Sequence, residues 1–134
     1  MSEEMSENAE LRLRMRLRAD DTNYASGVIP AATYMALMSD AGVIQGLASG
    51  TSAGFLARWE SVDFSAVCMV GDFIEVRCRP LSKGNRSRRS EAEVYRLVKT
   101  TAEPGKTTHG QYLDPPELVA RGVMVGVLPR EDLE

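Results

Sequence analysis

Alternation of apolar and charged residues near the N-terminus is the clearest strand pattern in the chain. From Leu11 to Arg18 every second residue is apolar, and the residues between them are arginines. Successive side chains of a strand point to opposite faces, so one face should meet the core while the other carries four arginines. The pattern predicts a strand over 11–18. Its arginines face solvent or a second subunit, and they also protect an exposed sheet edge.

A helical pattern follows, and it is poor in charge. Pro30 suits the first turn of a helix, and apolar residues then recur at helical spacing as far as Gln45, before Gly46 and Gly50 mark the end. A helix with so few charges is expected to be covered by protein on most sides. Its only acid, Asp40, is therefore a candidate for a specific role.

The rest of the chain changes to the period of strands. Segments rich in Val, Ile, Phe, Tyr and Trp predict strands at 55–60, 62–67, 72–79, 91–99 and 118–128. Three prolines and two glycines in the segment 100–116 predict a polar loop. One strand, one helix and then four or five antiparallel strands predict an α+β domain whose sheet curls around the helix.

Length and composition indicate one soluble domain. The chain has 134 residues, of which 43% are apolar and 26% charged, and we expect a flexible acidic tail at 1–10 and one domain over 11–134. No apolar run reaches the length of about 20 residues that spans a bilayer, and the N-terminus does not resemble a signal peptide. We therefore expect a cytoplasmic protein without a membrane partner. Cys68 and Cys78 are expected to be buried, reduced thiols.

Positive charge is clustered although the net charge is −3. Thirteen of the sixteen basic residues are arginines, and seven of these lie in the blocks 12–18 and 86–89. A net-acidic protein is a poor candidate for coating a nucleic-acid backbone, so no nucleic-acid partner is expected. Local arginine clusters are better suited to a few discrete phosphates or to an acidic partner surface.

The order of these elements and several short stretches resemble the hotdog-fold acyl-thioester enzymes. Within that superfamily the chain is most similar to the β-aminoacyl-CoA ammonia-lyases and to related amine-adding thioesterases of β-amino acid biosynthesis. The stretches that carry the resemblance are Leu11–Arg18, Asp21–Asp40, Trp59–Phe64, Val70–Glu75, Gly84–Arg88, Leu118–Gly122 and Leu128–Pro129. Two positions depart from it, because Tyr24 and Pro30 stand where relatives carry an acid.

The resemblance implies a hotdog fold, a curled antiparallel sheet of about five strands around one central helix. It also implies a homodimer or higher homo-oligomer, with sites between subunits and the acyl chain beside the helix. The thioester carbonyl would meet backbone N–H groups at the helix N-terminus, where free donors and the positive dipole end stabilise an enolate or oxyanion. Coenzyme A or phosphopantetheine would enter as part of the substrate, with no other cofactor and no metal.

Three residues are candidates for catalysis. Asp40 is expected to exchange a proton with the substrate, or else to hold the fold through the backbone or Arg58. Glu60 is the second candidate for proton transfer, with an ordinary ion pair as the alternative. Tyr24 either donates a hydrogen bond to the thioester or packs at an interface.

Nine residues are candidates for substrate binding. Arg58 and Glu60 share a strand face, which suits an amino-acid nucleophile or else a cross-strand ion pair, and Trp59 is a substrate wall or core filler. The loop from Gly84 to Arg89 suits coenzyme A phosphates, an acidic acyl carrier protein, or only solvent. The candidates are Asp21, Ser26, Gly27, Arg58, Trp59, Asn85, Arg86, Ser87 and Arg88.

The favoured function is addition of ammonia or an amine such as glycine to the β-carbon of an α,β-unsaturated acyl thioester, or the reverse elimination. Hydrolysis of the thioester is a possible second step. The alternatives are a plain thioesterase and a non-catalytic module that binds acyl thioesters. His109 is the sole histidine and is expected at the surface of the loop, which disfavours a serine–histidine–aspartate triad and a histidine-based metal site.

Overall fold

A five-stranded antiparallel sheet and one long helix form the protein in the computed structural model, which describes residues 10–50, 52–101 and 103–130. The strand order is β1-β3-β4-β5-β2, so β1 and β2 are the two edges. The predicted tail lies outside the described residues except for Glu10. The elements are β1 (Leu11–Arg16), a short 3-10 helix (Ala19–Asp21), α1 (Ala31–Ala48), β2 (Phe55–Phe64), β3 (Phe73–Lys83), β4 (Ser87–Thr101) and β5 (His109–Val127).

The core lies between α1 and one face of the sheet, which we call the inner face. A Cβ atom on Gly42 of α1 would lie 3.4 Å from Cε of Met124 on β5, so Met124 points toward the helix. The residues paired with Met124 lie on the inner face, and from them every second residue along each strand lies on the same face, except where a bulge shifts the register. The outer face carries the arginines of β1, as the alternation predicts. The predicted fold class, a curled antiparallel sheet of five strands with one helix, is confirmed.

Two predictions about the strands are wrong. The segment over 55–64 is one strand, because its register shifts at Leu56/Arg58 and at Trp59/Ser61 disturb the alternation without ending the ladder. The segment 100–116 is largely strand, since β4 extends to Thr101 and β5 begins at His109. Backbone pairing holds this polar hairpin, and its adjacent prolines fall where the register skips from Glu117 to Tyr112.

Helix α1 is buried or half-buried on most sides, as predicted, and one narrow stripe of it is exposed in this single chain. Its buried residues, Tyr34, Met38, Ala41 and Gln45, face the sheet. The opposite face, which we call the open helix face, consists of Ala32, Ala36, Asp40, Val43 and Leu47, all of them exposed. Small apolar residues occur all around this helix, so the sequence could not show which side the sheet covers. No helix in the described part of the chain is long and apolar enough to cross a membrane.

The start of α1 is anchored by the segment before β3. Val28 pairs with Met69, and the Ile29 N–H donates to the Cys68 carbonyl at 3.0 Å. The Cys68 N–H in turn donates to the Tyr34 hydroxyl at 3.0 Å. These bonds fix the beginning of α1 against the sheet.

The cysteine prediction is confirmed, because Cys68 and Cys78 are both buried and neither forms a disulfide. Burial raises the pKa of Cys68 and of Cys78 to about 11. Both side chains are therefore inert core residues at neutral pH.

Candidate active site

Asp40 is the single charged residue of the open helix face. Its neighbours one turn away on that face, Ala36 and Val43, are apolar and exposed. Among the described residues, no hydrogen bond or ion pair engages the Asp40 carboxylate. The structural alternative, a carboxylate that holds the fold through the backbone or Arg58, has no contact to support it in this part of the chain.

Open backbone donors lie at the N-terminus of the same helix. Pro30 is the N-cap, and no side chain caps the first turn. Ala31 and Ala32 are exposed, so the first N–H groups of α1 are accessible. Helix geometry places Ala31 about 13 Å before Asp40 along the axis, and side chains tilt toward the N-terminus, which brings the carboxylate closer.

The turn before α1 carries three predicted site residues. The Gly27 N–H donates to the Tyr24 carbonyl at 3.0 Å, and Gly27 has a φ of 80°, a conformation that glycine adopts without strain. The Tyr24 side chain is 52% exposed and Ser26 is also exposed. The turn therefore presents Tyr24 and Ser26 to solvent ahead of the helix start.

Asp21 has a structural position. Its carboxylate accepts the Arg18 N–H at 2.6 Å, and its carbonyl accepts the Thr33 hydroxyl at 2.7 Å. These bonds tie the 3-10 helix to the first turn of α1. Asp21 thus supports the helix start, and its predicted contact with substrate stays a prediction.

A cavity of about 250 Å³ lies along the flank of α1 next to the open helix face. Small residues of the helix create it, namely Ser39, Gly42, Gly46 and Ser49. The opposite walls come from the starts of β2 and β4 and the ends of β3 and β5. Val43, which follows Asp40 by one turn on the open helix face, also lines the cavity, so this wall lies within one helical turn of Asp40.

The predicted phosphate loop forms one end of this cavity, because Lys83 and Arg88 line it. The Gly84 N–H donates to the Ser87 carbonyl at 3.0 Å, which closes the turn between β3 and β4. Arg88 Nη1 donates to the carbonyls of Gly84 and Ser87, and Arg86 Nε donates to the Leu128 carbonyl at 3.0 Å. Asn85 and Ser87 are exposed at the tip.

Glu60 and Arg58 lie on the outer face, away from the helix. Arg58 and Arg89 both pair with Val125, which alternates with the inward-pointing Met124. Arg89 Nε donates to both Glu60 carboxylate oxygens at 2.8 and 2.9 Å, and Arg58 Nη2 lies 3.6 Å from Glu60 Oε2. The hydrogen bond from Arg89 holds the pKa of Glu60 below its usual range.

This geometry corresponds to the alternative of a cross-strand ion pair. The sheet separates Glu60 and Arg58 from Asp40, so the three residues do not share one site in this chain. A carboxylate with a lowered pKa is also a weaker base. We therefore leave Glu60 and Arg58 out of the mechanism proposed below.

Trp59 points inward and packs on the sheet. A Cβ atom on Gly122 would lie 2.6 Å from Cζ3 of Trp59, so the indole ring occupies the space above this glycine. Trp59 is half-buried against the core. This position corresponds to core filling, the alternative to a substrate wall.

Most residues that shape the cavity were not predicted from the sequence. Gln45, Gly46 and Lys83 line it, together with Met124 from β5. The helical spacing of Ser39, Gly42, Gly46 and Ser49 was the available pattern, since small residues on one flank leave space beside a helix. Of the predicted residues, only Arg88 lines this cavity, while Asp40 lies beside it.

The chain is similar to known proteins in sequence and in structure. No protein-family model matches the chain. The chain is 24% identical over 119 residues to the 3-aminobutyryl-CoA ammonia lyase of Acetoanaerobium sticklandii. The aligned region covers 89% of this chain and 94% of that lyase. The solved structure of β-alanyl-CoA:ammonia lyase from Clostridium propionicum superposes with a TM-score of 0.84 at 17% identity, over 95% of this chain and 90% of that one.

A hexameric acyl-CoA thioesterase is a further structural neighbour. It superposes with a TM-score of 0.68 at 20% identity, over 93% of this chain and 72% of that one. These similarities confirm the hotdog fold and the predicted resemblance to hotdog acyl-thioester enzymes. They also agree with the prediction of an enzyme of the lyase or thioesterase type.

Proposed function

We propose that this protein is an acyl-thioester enzyme that adds an amine to the β-carbon of an α,β-unsaturated acyl thioester, or eliminates it in reverse. The observation that carries the proposal is Asp40, an unengaged carboxylate on an apolar helix face, between open helix N–H donors and one wall of a cavity. The similarity to two ammonia lyases supports the choice of reaction.

Asp40 would move the proton that the addition requires. The amine nitrogen bonds to the β-carbon, and the electron pair of the double bond shifts through the α-carbon to the thioester oxygen as an enolate. The Asp40 carboxylate then takes a proton from the ammonium group formed at the β-carbon, and the resulting carboxylic acid gives that proton to the α-carbon, which returns Asp40 to the carboxylate. One carboxyl group thus balances the reaction, and the elimination runs through the same steps in reverse.

The enolate oxygen would bind at the start of α1 of a second copy of the chain. Within one chain the first N–H groups lie about 13 Å from Asp40 along the helix axis, whereas an enolate oxygen is only two bonds from the α-carbon that Asp40 protonates. The N–H groups of Ala31 and Ala32 supply donors there, and the helix dipole favours negative charge. The bonds between Val28 and Met69 and between Ile29 and Cys68 hold this end of the helix in place. Fixed donors stabilise developing charge without reorganising during the reaction. Tyr24, which is exposed just before the helix, remains a candidate donor to the thioester.

The cavity would hold the phosphopantetheine arm. Lys83 and Arg88 stand at the end where phosphates would enter, and Val43 stands at the wall within one helical turn of Asp40. Asn85, Arg86 and Ser87 belong to the same entrance. A substrate in this orientation places its thioester near Asp40 and its acyl chain along the open helix face.

Hydrolysis of the thioester is the second candidate function. The same carboxylate can activate a water molecule, and the same helix N–H groups can stabilise the tetrahedral oxyanion. The structural similarity to a hexameric acyl-CoA thioesterase favours this candidate. The two reactions differ in their products, so one assay separates them.

The test is incubation of the protein with crotonyl-CoA, with and without ammonia or glycine, followed by mass spectrometry. A product heavier than crotonyl-CoA by the mass of the amine is the expected result. Free crotonate formed at equal rates in all tubes would replace addition with hydrolysis. Unchanged crotonyl-CoA and unchanged crotonyl-pantetheine in every tube would leave the non-catalytic binding module as the better description.

A second copy of the chain would complete the site. Edge strand β2 has no ladder partner on its outer side among the described strands, and Phe55, Leu56 and Phe64 are 71%, 44% and 41% exposed. These residues and the apolar residues of the open helix face are surfaces that a second subunit would cover. We expect light scattering to give at least twice the mass of the chain, and a monomer at micromolar concentration would contradict this.

A further inference from the structure

The outer face of the sheet carries an excess of positive charge in a net-acidic protein. Its strand residues comprise eight arginines and five carboxylates, an excess of three positive charges, whereas the chain has a net charge of −3. The arginines are Arg12, Arg14, Arg16, Arg58, Arg77, Arg79, Arg89 and Arg121. The other described residues carry eight basic and eight acidic side chains, so the net positive charge of the described part of the chain lies on the outer face.

Two carboxylates are buried beneath these arginines. The Glu75 side chain is 1% exposed, and Nε atoms of Arg14 and Arg77 donate to its two oxygens, each at 2.6 Å. The Glu91 side chain is 3% exposed and is bound by Arg79 and Arg121. The carboxylates therefore lie underneath while the guanidinium groups form the surface.

The guanidinium groups keep donors for a partner. Side chains of Arg12, Arg14 and Arg79 are 55%, 66% and 54% exposed. Arg14 uses its Nε atom on Glu75, and Arg12 uses its Nε atom on Glu10. An arginine has five N–H donors in a rigid fork, so the remaining donors suit carboxylates of another molecule.

This face continues to the entrance of the cavity. Arg89 pairs with Ser82, immediately before the turn that carries Lys83 and Arg88. Arg79 lies four residues before Lys83, about 13 Å along strand β3. A macromolecule on the outer face would therefore lie next to the end of the cavity where phosphates would enter.

We propose that the outer face docks an acidic carrier protein, which delivers its phosphopantetheine-bound acyl group around the β3–β4 turn into the cavity. The inference rests on the proposed function and adds the identity of the carrier. Charge complementarity selects this partner, because an acidic protein surface can meet many of the exposed guanidinium groups at once. Coenzyme A would reach only the entrance of the cavity.

The test compares three carriers of one crotonyl group, namely an acidic acyl carrier protein, coenzyme A and pantetheine. The double variant Arg12→Gln/Arg79→Gln removes two charges from the outer face and retains side chains that can hydrogen-bond. Its matched control is Lys106→Gln/Arg130→Gln, which removes two exposed charges elsewhere. We expect the outer-face variant to raise KM for the carrier-protein substrate about tenfold. KM for the other two substrates should stay within twofold, and the control should change none.

Other outcomes would overturn the docking proposal. Equal losses on all three substrates would indicate damage to the site, and melting temperatures of both variants identify damage to the fold. A changed oligomeric mass without a specific loss on the carrier protein would identify the outer face as a contact between copies of this chain. If no carrier supports turnover, the proposed function fails, and calorimetric titration with the crotonyl carrier protein still tests docking. Equal affinity for wild type and outer-face variant would then reject it.

Discussion

The open helix face and the outer face of the sheet differ in whether their carboxylates receive hydrogen bonds. On the outer face, Glu75 is buried and receives hydrogen bonds from two arginines. On the open helix face, Asp40 is exposed, and within the described residues nothing bonds to it. A carboxylate with satisfied bonds contributes to the fold, whereas an unengaged one on an apolar face is available for a substrate. The difference predicts opposite effects of mutation on the two surfaces.

The largest expected effect is on catalysis at Asp40. Asp40→Asn keeps the shape of the side chain but removes proton transfer, so kcat should fall by about 10²–10³-fold. The free energy of unfolding should change by less than about 0.5 kcal/mol, because the side chain is exposed and unbonded. Steady-state kinetics and urea denaturation measure the two quantities. The matched control is Asp63→Asn, which makes the same change on the outer face and should leave activity unchanged. If Asp40→Asn lost activity and stability to an equal extent, Asp40 would be a structural residue.

The opposite effect is expected at Glu75. Glu75→Gln places an amide among guanidinium groups and leaves their charges uncompensated, which should lower the free energy of unfolding by about 2–3 kcal/mol. The kcat of the remaining folded protein should stay within twofold of wild type, since Glu75 lies on the face away from Asp40. Guanidinium denaturation checks the stability. An activity loss at unchanged stability would reverse the roles assigned to the two surfaces.

Acid should destabilise the folded protein through Glu75 on the outer face. Burial opposes ionisation of Glu75, but hydrogen bonds from Arg14 and Arg77 prevail and hold its pKa below the usual value. A lowered pKa means that the contribution to stability is complete above about pH 4.5 and is lost as the pH falls through the folded-state pKa. The melting temperature should therefore fall as the pH is lowered past about 4.5. This fall should be smaller in the Glu75→Gln variant than in wild type. Parallel pH profiles of the two proteins would contradict this.

A smaller effect is expected inside the core. Tyr34→Phe removes the hydroxyl that accepts the Cys68 N–H, and the unfolding free energy should fall by about 1–2 kcal/mol. Burial raises the pKa of Tyr34 well above its usual value, so this phenol should ionise only at a higher pH than an exposed tyrosine does. Denaturant melts and ultraviolet titration are the measurements. A fully stable variant would mean that another group or water satisfies the Cys68 N–H.

Much of the fold could be predicted because local patterns carried it. The alternation at 11–18 placed three apolar side chains and three arginines correctly on opposite faces of the first strand, which ends at Arg16 and not at Arg18 as predicted. Pro30 marked the helix start within one residue. Errors occurred where pairing with a neighbour overrides the local pattern. Bulges hid the continuity of β2, and a polar segment with three prolines proved to be the extension of β4 and β5.

The candidate site was only partly accessible to the sequence. Asp40 could be identified because a single acid in a charge-poor helix is recognisable from the order of residues alone. Glu60 and Arg58 were correctly placed together, yet the sequence could not show that Arg89, two strands away, completes their ion pair on the far face. The cavity depends on which flank of α1 meets the sheet, and that contact involves residues distant along the chain.

The order of residues was enough to predict the strand and helix periods, the charge-poor helix with its single acid, and the clustering of arginines. Which carboxylates receive hydrogen bonds, and which stay open to a substrate, became visible in the folded chain. The physical reason is that side-chain periodicity is a local property of the backbone. Burial, hydrogen-bond partners and open space depend on neighbours that only folding brings together.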